Sequence, residues 1–188
     1  MTNDASGPKV KGVAFRSVLT VAEEILGGET VERVYATLPE DARETLRYKV
    51  LHTGWYPIEL YRALWAALLE VTGRGDDLVK EIGAASVRRD MTGVYRMVFR
   101  VFSPETMFSI TARLYSQYYD TGTVEVLRAE HVKARVVYTG CEGFDRTMWV
   151  ELLGSGEEML RLAGAKDPRL EIVRGGWGAY CEVDAHWS

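Results

Sequence analysis

At Gly122 the chain changes rhythm. Before it, apolar residues recur at every third or fourth position; after it, they alternate. The first spacing belongs to helices and the second to strands. A chain with one of these in each half cannot be all-helical or all-strand, and the predicted fold class is α+β.

The stretch leading into that change is the helix predicted over 104–120. Ser103 is a ready N-cap and Pro104 suits the first helical position. Met107, Ile110, Leu114 and Tyr118 make one apolar stripe, and Phe108, Ala112, Tyr115 and Tyr119 a second beside it. A helix apolar over so much of its circumference is expected to be buried. Asp120-Thr121-Gly122 stops it. Upstream, helical spacing covers 17–26, 29–38, 39–50, 58–71, 78–88 and 93–102, with breaks at Gly27-Gly28, at His52 to Pro57 and at Thr72 to Gly75. Lys9 to Phe15 fits either a short strand or the lead into a helix. Val79, Gly83 and Ser86 form a small-residue face that would let a neighbour approach closely.

Downstream, 124–126 and 132–138 alternate and read as a hairpin joined by Ala129-Glu130-His131. A helix is predicted over 145–163, kinked or broken at Gly154-Ser155-Gly156. Strands at 170–173 and 179–187 close the chain, the last with Ala179, Cys181, Val183, Ala185 and Trp187 on one face. The expected architecture is a helical half, 9–122, packed on a C-terminal antiparallel sheet, 123–188, of order strand-strand-helix-strand-strand. Together they make one domain over 9–188, after a disordered tail at 1–8.

With 188 residues, one domain can bury a sizeable core. The formal charge of -4 favours neither nucleic acid nor an anionic membrane as a partner. No apolar run approaches the ~20 residues of a membrane span. The first residues are small and polar, unlike a signal peptide, so a cytoplasmic location is expected. Cys141 and Cys181 make no metal or redox pattern and read as free thiols, although one disulfide is also open to them.

Chemistry is sparse. Glu182, Asp184 and His186 share a strand face; a solvated outer face explains them better than a metal site, and no metal is predicted. His52 precedes a turn, where it could cap the helix before it, and His131 falls in the hairpin turn; neither has a nucleophile or carboxylate beside it in a catalytic pattern. No nucleophile elbow or phosphate loop occurs. Arg89, Arg96 and Arg100 read as a charged helix edge. Cys181 points inward, and Cys141, in a Gly-flanked turn, is the more exposed thiol. The aromatic residues are the strongest signal, since they crowd the middle of the chain and bring polar tips that seek partners when buried. A cavity between helices and sheet is expected, with Tyr95, Phe99, Tyr115, Tyr119 and Cys181 lining it.

Four stretches carry a resemblance. They are Lys11-Gly12-Val13, Gly54-Trp55-Tyr56-Pro57-Ile58-Glu59-Leu60, Tyr115-Ser116-Gln117-Tyr118-Tyr119-Asp120-Thr121-Gly122, and the Gly-rich turn Gly175-Gly176-Trp177-Gly178. In combination they resemble a paralogous family of uncharacterised myxobacterial proteins, over nearly the whole chain. More distantly, the order of elements is similar to a superfamily that joins haem-dependent nitric-oxide sensors, 4-vinyl-reductase-type ligand-binding domains and vesicle-tethering subunits. The last two imply an apolar ligand or a partner subunit. The haem sensors carry a ligating histidine on a helix, followed by a Tyr-Xaa-Ser-Xaa-Arg motif; neither is found here, so haem is disfavoured and no cofactor is predicted.

These observations lead to a non-catalytic sensory or regulatory domain that holds a small apolar ligand between helices and sheet. The alternative is an interaction module, a homodimer or scaffold, with no ligand. An enzyme ranks third.

Overall fold

The computed structural model describes residues 7–91, 103–130 and 132–188, with the backbone alone at 128–130. Strand β1, Lys9–Lys11, pairs antiparallel with β2, Trp55–Pro57. Helix α1, Gly12–Leu26, follows β1 with no loop. Gly12 makes this possible, because a Cβ there would stand 1.9 Å from the Leu51 carbonyl oxygen. The two readings of 9–15 are thus both realised, a strand and then a helix. The break predicted at 52–57 contains the partner strand.

Helices α2, Gly28–Thr37, and α3, Glu40–Glu44, come next. The helix predicted over 39–50 is α-helical only in its first half, because Thr45–Lys49 widens into one π turn. Helix α4, Ile58–Thr72, ends at Gly73, whose left-handed φ of 63° closes the last turn. Helix α5 is Asp76–Asp90. The helix predicted over 93–102 lies outside the described residues.

Helix α6 is Pro104–Tyr118. Ser103 caps it, its Oγ accepting from the Thr106 N–H at 3.3 Å. Its burial departs from expectation. Only Met107, Phe108 and Tyr115 are buried within it, and Ala112 is exposed. Phe108 and Tyr115 of the stripe that holds Ala112 are covered by Trp187 and Tyr138, while Ala112 itself faces out.

After Gly122, the strands are β3, Thr123–Glu130; β4, Lys133–Thr139; β5, Arg169–Gly175; and β6, Tyr180–His186. They form one antiparallel sheet of order β3-β4-β6-β5. Helix α7, Arg146–Leu162, joins β4 to β5. Asp145 starts it by accepting from the Met148 N–H at 3.0 Å. Of the kink or break expected at Gly154-Ser155-Gly156, the break does not occur, and one helix spans all three residues. These small residues serve packing. A Cβ on Gly154 would lie 2.4 Å from the Lys80 carbonyl oxygen of α5, and one on Gly83 of α5 would lie 2.6 Å from that of Glu151.

The inward face of the sheet is the predicted one. Ala134, Val136 and Tyr138 of β4 and Cys181, Val183 and Ala185 of β6 are buried under the helices. On the outer face, charges pair: Arg135 grips Asp184 through two nitrogens, each at 2.6 Å, and holds that carboxyl below its usual range. One hydrophobic core runs through both halves, from Val10 to Trp187.

Candidate functional site

Between the helices and the inward sheet face lies a cavity of about 130 Å3. Helix α1 offers Ala14 and Val18, α6 offers Met107 and Phe108, and the sheet offers Val183 and Ala185. These positions are apolar for the reason any core position is: each lies on the buried stripe of its element. A cavity walled this way stays dry or takes an apolar ligand.

Polar groups enter at two places. Toward α1, Ser17 Oγ donates to Asp90, at 2.7 Å to Oδ1 and 2.9 Å to Oδ2. Burial raises the Asp90 pKa, while Ser17, Arg89 and His52 pull it back. Toward α4 and α7 stands Glu151, which is 7% exposed. Its Oε1 accepts from the Tyr61 hydroxyl at 2.7 Å. Its Oε2 has no hydrogen-bond partner, and neither has Ser86 Oγ, also 7% exposed and also in the lining. Burial pushes the Glu151 carboxyl up to about 7, against the opposing pull of Tyr61 and Trp65.

Tyr115 and Tyr119 line the cavity. They also belong to a ring cluster with Phe144, in which Tyr119 meets Phe144 at 4.9 Å and Tyr115 meets Tyr119 at 5.0 Å between centroids. The Tyr115 hydroxyl donates to Cys141 Sγ at 3.2 Å, and burial raises its pKa. Cys181 is fully buried on β6 but stands outside the lining, whereas Val183 and Ala185 of the same strand are in it. Burial pushes the Cys181 thiol up to about 12. Tyr95 and Phe99 lie outside the described residues, as do Arg96, Arg100 and His131. Cys141, expected to be the more exposed thiol, has no exposure at all; the turn that holds it is folded against Gly122, where a Cβ would sit 2.5 Å from its sulfur. Both cysteines are free. Among the described residues no three His, Cys, Asp or Glu side chains converge as metal ligands. Arg89, read as a solvated edge, pairs with Glu24 at 2.5 Å.

Sequence reasoning passed over Glu151 and Ser86. A signal for Glu151 was present. Met148, Glu151, Ser155 and Glu158 share one line along α7 at helical spacing, so this glutamate falls on a line that begins inside the core.

No protein-family model and no curated protein matches the chain. Solved structures do. An Fe(II) unliganded H-NOX mutant from K. algicida superposes with a TM-score of 0.74 at 17% identity, over 95% of this chain and 96% of that one. An oxygen-binding H-NOX domain related to soluble guanylate cyclases gives 0.69 at 12% identity, over 95% of both chains. A structure from a study of haem distortion in the H-NOX family gives 0.72 at 12% identity, again over 95% of both. The fold is therefore the H-NOX fold.

This corrects one expectation. The sequence reading predicts no cofactor and disfavours haem, but the fold is shared with domains whose descriptions name haem or iron, so the fold itself points to a haem cofactor. The histidine and the Tyr-Xaa-Ser-Xaa-Arg motif of the haem sensors are not found in this sequence, while the architecture is shared at 12% identity. The lining is apolar, as the face of a macrocycle requires, but the cavity holds only about 130 Å3. Among the described lining residues there is no imidazole, no thiol and no cation to meet a haem carboxylate. The described residues that line the cavity do not fit haem, and the chemistry below is argued from the side chains alone.

Proposed function

We propose that this chain is a sensory ligand-binding domain whose small ligand occupies the cavity between α1, α5, α6, α7 and the sheet. One observation carries the reading: the cavity lies inside a fold shared with H-NOX ligand sensors, and apolar side chains make most of its wall. Ligand pockets are built this way, with apolar walls and a few placed polar groups. The volume of about 130 Å3 suits a body of roughly one ring. Tyr115 and Tyr119 are the aromatic contacts, and Tyr95 and Phe99 precede the helix that carries them. The cavity favours this reading over an interaction module, which needs no internal space.

Native mass spectrometry of the freshly purified protein tests it. Retention of a small molecule in one-to-one ratio is the expected result. Ala185→Leu places extra volume in the cavity and should abolish that signal while the circular dichroism stays unchanged. A protein that retains nothing, or whose retention survives Ala185→Leu, overturns the assignment.

A further inference from the structure

The two unpartnered oxygens of the lining remain unexplained by a purely apolar ligand. Buried polar groups are ordinarily hydrogen-bonded, and an unpaired one costs free energy. Glu151 Oε2 and Ser86 Oγ lie on facing helices, α7 and α5, whose backbones are brought together by Gly83 and Gly154. Trp65 Nε1 is also buried without a partner and acts on Glu151, but the pair completes no hydrogen bond. A water between those two would satisfy the indole and one lone pair. It would leave Ser86 Oγ, on the other helix, unserved.

Tyr61, Trp65, Tyr119 and, further off, Asp145 act on Glu151; among the described residues no cation does. The other carboxylate of the lining, Asp90, differs on both counts, since the single Ser17 hydroxyl proton is shared between its two oxygens and Arg89 and His52 act on it. A carboxylate with a vacant oxygen, a hydroxyl across from it and no counter-charge is an acceptor site without its donor.

We infer that the cavity takes a small apolar amine, whose ammonium group donates to Glu151 Oε2 and Ser86 Oγ while its hydrocarbon body lies against Met107, Phe108 and Val183. This deepens the ligand-binding reading above and rests on it. An ammonium brings three donors and the missing positive charge, and charge-assisted bonds of this kind are the strong ones. An anion of the same size finds one donor, the Ser86 hydroxyl, and is repelled by the Glu151 carboxylate. A neutral alcohol meets the acceptors without the charge.

The experiment compares benzylamine, benzyl alcohol and benzoate by isothermal titration calorimetry at about pH 8, where the Glu151 carboxyl, pushed up to about 7, is ionised and an alkyl ammonium keeps its charge. Benzylamine should bind about tenfold tighter than benzyl alcohol, the worth of one charge-assisted bond over a neutral one, and benzoate should not bind. Glu151→Gln keeps an acceptor for Tyr61 and should erase the preference while leaving benzyl alcohol bound. Ser86→Ala, a milder change, should weaken benzylamine about fivefold, and serves if the first variant does not fold. Equal affinity for amine and alcohol, or a preference that outlives Glu151→Gln, overturns the amine and leaves the cavity standing. No binding by any probe also overturns it, and native mass spectrometry then judges the cavity separately.

Discussion

Glu151 is the residue on which both ligand selection and stability turn. Its carboxyl, pushed up by burial to about 7 from an ordinary value of 4.5, keeps its proton in the folded chain over a window where the unfolded chain has lost it. Between those two values the native state binds more protons than the unfolded state, so stability falls as pH rises through the window. The loss is about 3 kcal/mol at most, from a shift of that size. Urea unfolding at pH 5 and pH 8 should show the protein weaker at pH 8, and Glu151→Gln should remove most of the difference. A wild type equally stable at both values would show that this carboxyl titrates normally. The sequence exposes Tyr115 and Tyr119 readily, because an aromatic surplus is conspicuous. It conceals Glu151, because a glutamate on a helix is almost always solvated and its place in line with Met148 is a faint local mark against that. What buries it is Tyr61 of α4, ninety positions away along the chain.

At the scale of elements, the packing of α5 on α7 sets the floor of the cavity. Both helices give up side chains where they meet, at Gly83 and Gly154, and ion pairs border the contact. Arg88 Nε reaches Glu158 at 2.9 Å and Lys80 reaches Glu157 at 3.4 Å. Alanine is ordinarily the better helix former by up to about 1 kcal/mol. Gly154→Ala should nevertheless destabilise by about 2 kcal/mol, since its Cβ would press on Lys80 backbone atoms at 2.4 and 2.7 Å and the helices would have to part. Gly28→Ala, where the nearest atom is a glutamate oxygen at 3.5 Å, is the control and should change little. Thermal melts of the two variants decide it, and a Gly154→Ala protein as stable as wild type would mean that the helices do not touch there. The same glycines explain why a break was read into α7: from the sequence, a glycine that permits contact looks like one that ends a helix. The strands show a related blind spot. Alternation fails at Leu127 and Val173, each an extra residue at a bulge in an edge strand, and each exposed. Such bulges blunt an edge against further pairing. β2 escaped notice because its pairing with β1 is three residues long and spans more than forty positions.

For the molecule as a whole, the change of rhythm at Gly122 marks a change of element type, and one buried core takes residues from both sides of it. Gly122 itself carries a φ of 77° and leaves room for the sulfur of Cys141, so the junction is packed. Around it, the core does not divide. Phe15 of α1 meets Tyr61 of α4 at 4.9 Å, Tyr61 bonds to Glu151 of α7, and Tyr115 of α6 meets Tyr138 of β4 at 5.7 Å. Phe108 stacks on Trp187 at the far end of the sheet half, 5.5 Å apart. Helical and sheet halves thus supply each other's missing apolar face, and neither has a second surface on which to bury its own. We expect one cooperative transition. Helix content followed by far-UV circular dichroism should fall at the same denaturant concentration as the fluorescence of Trp65 and Trp149, one from each half and both fully buried. Adding benzylamine should move both curves together to higher denaturant, because a ligand that binds only the native state stabilises the whole cooperative unit and not one part of it. Two separated midpoints, or an amine that moved only the sheet signal, would show that the cavity belongs to one half and that the shared core does not unite them.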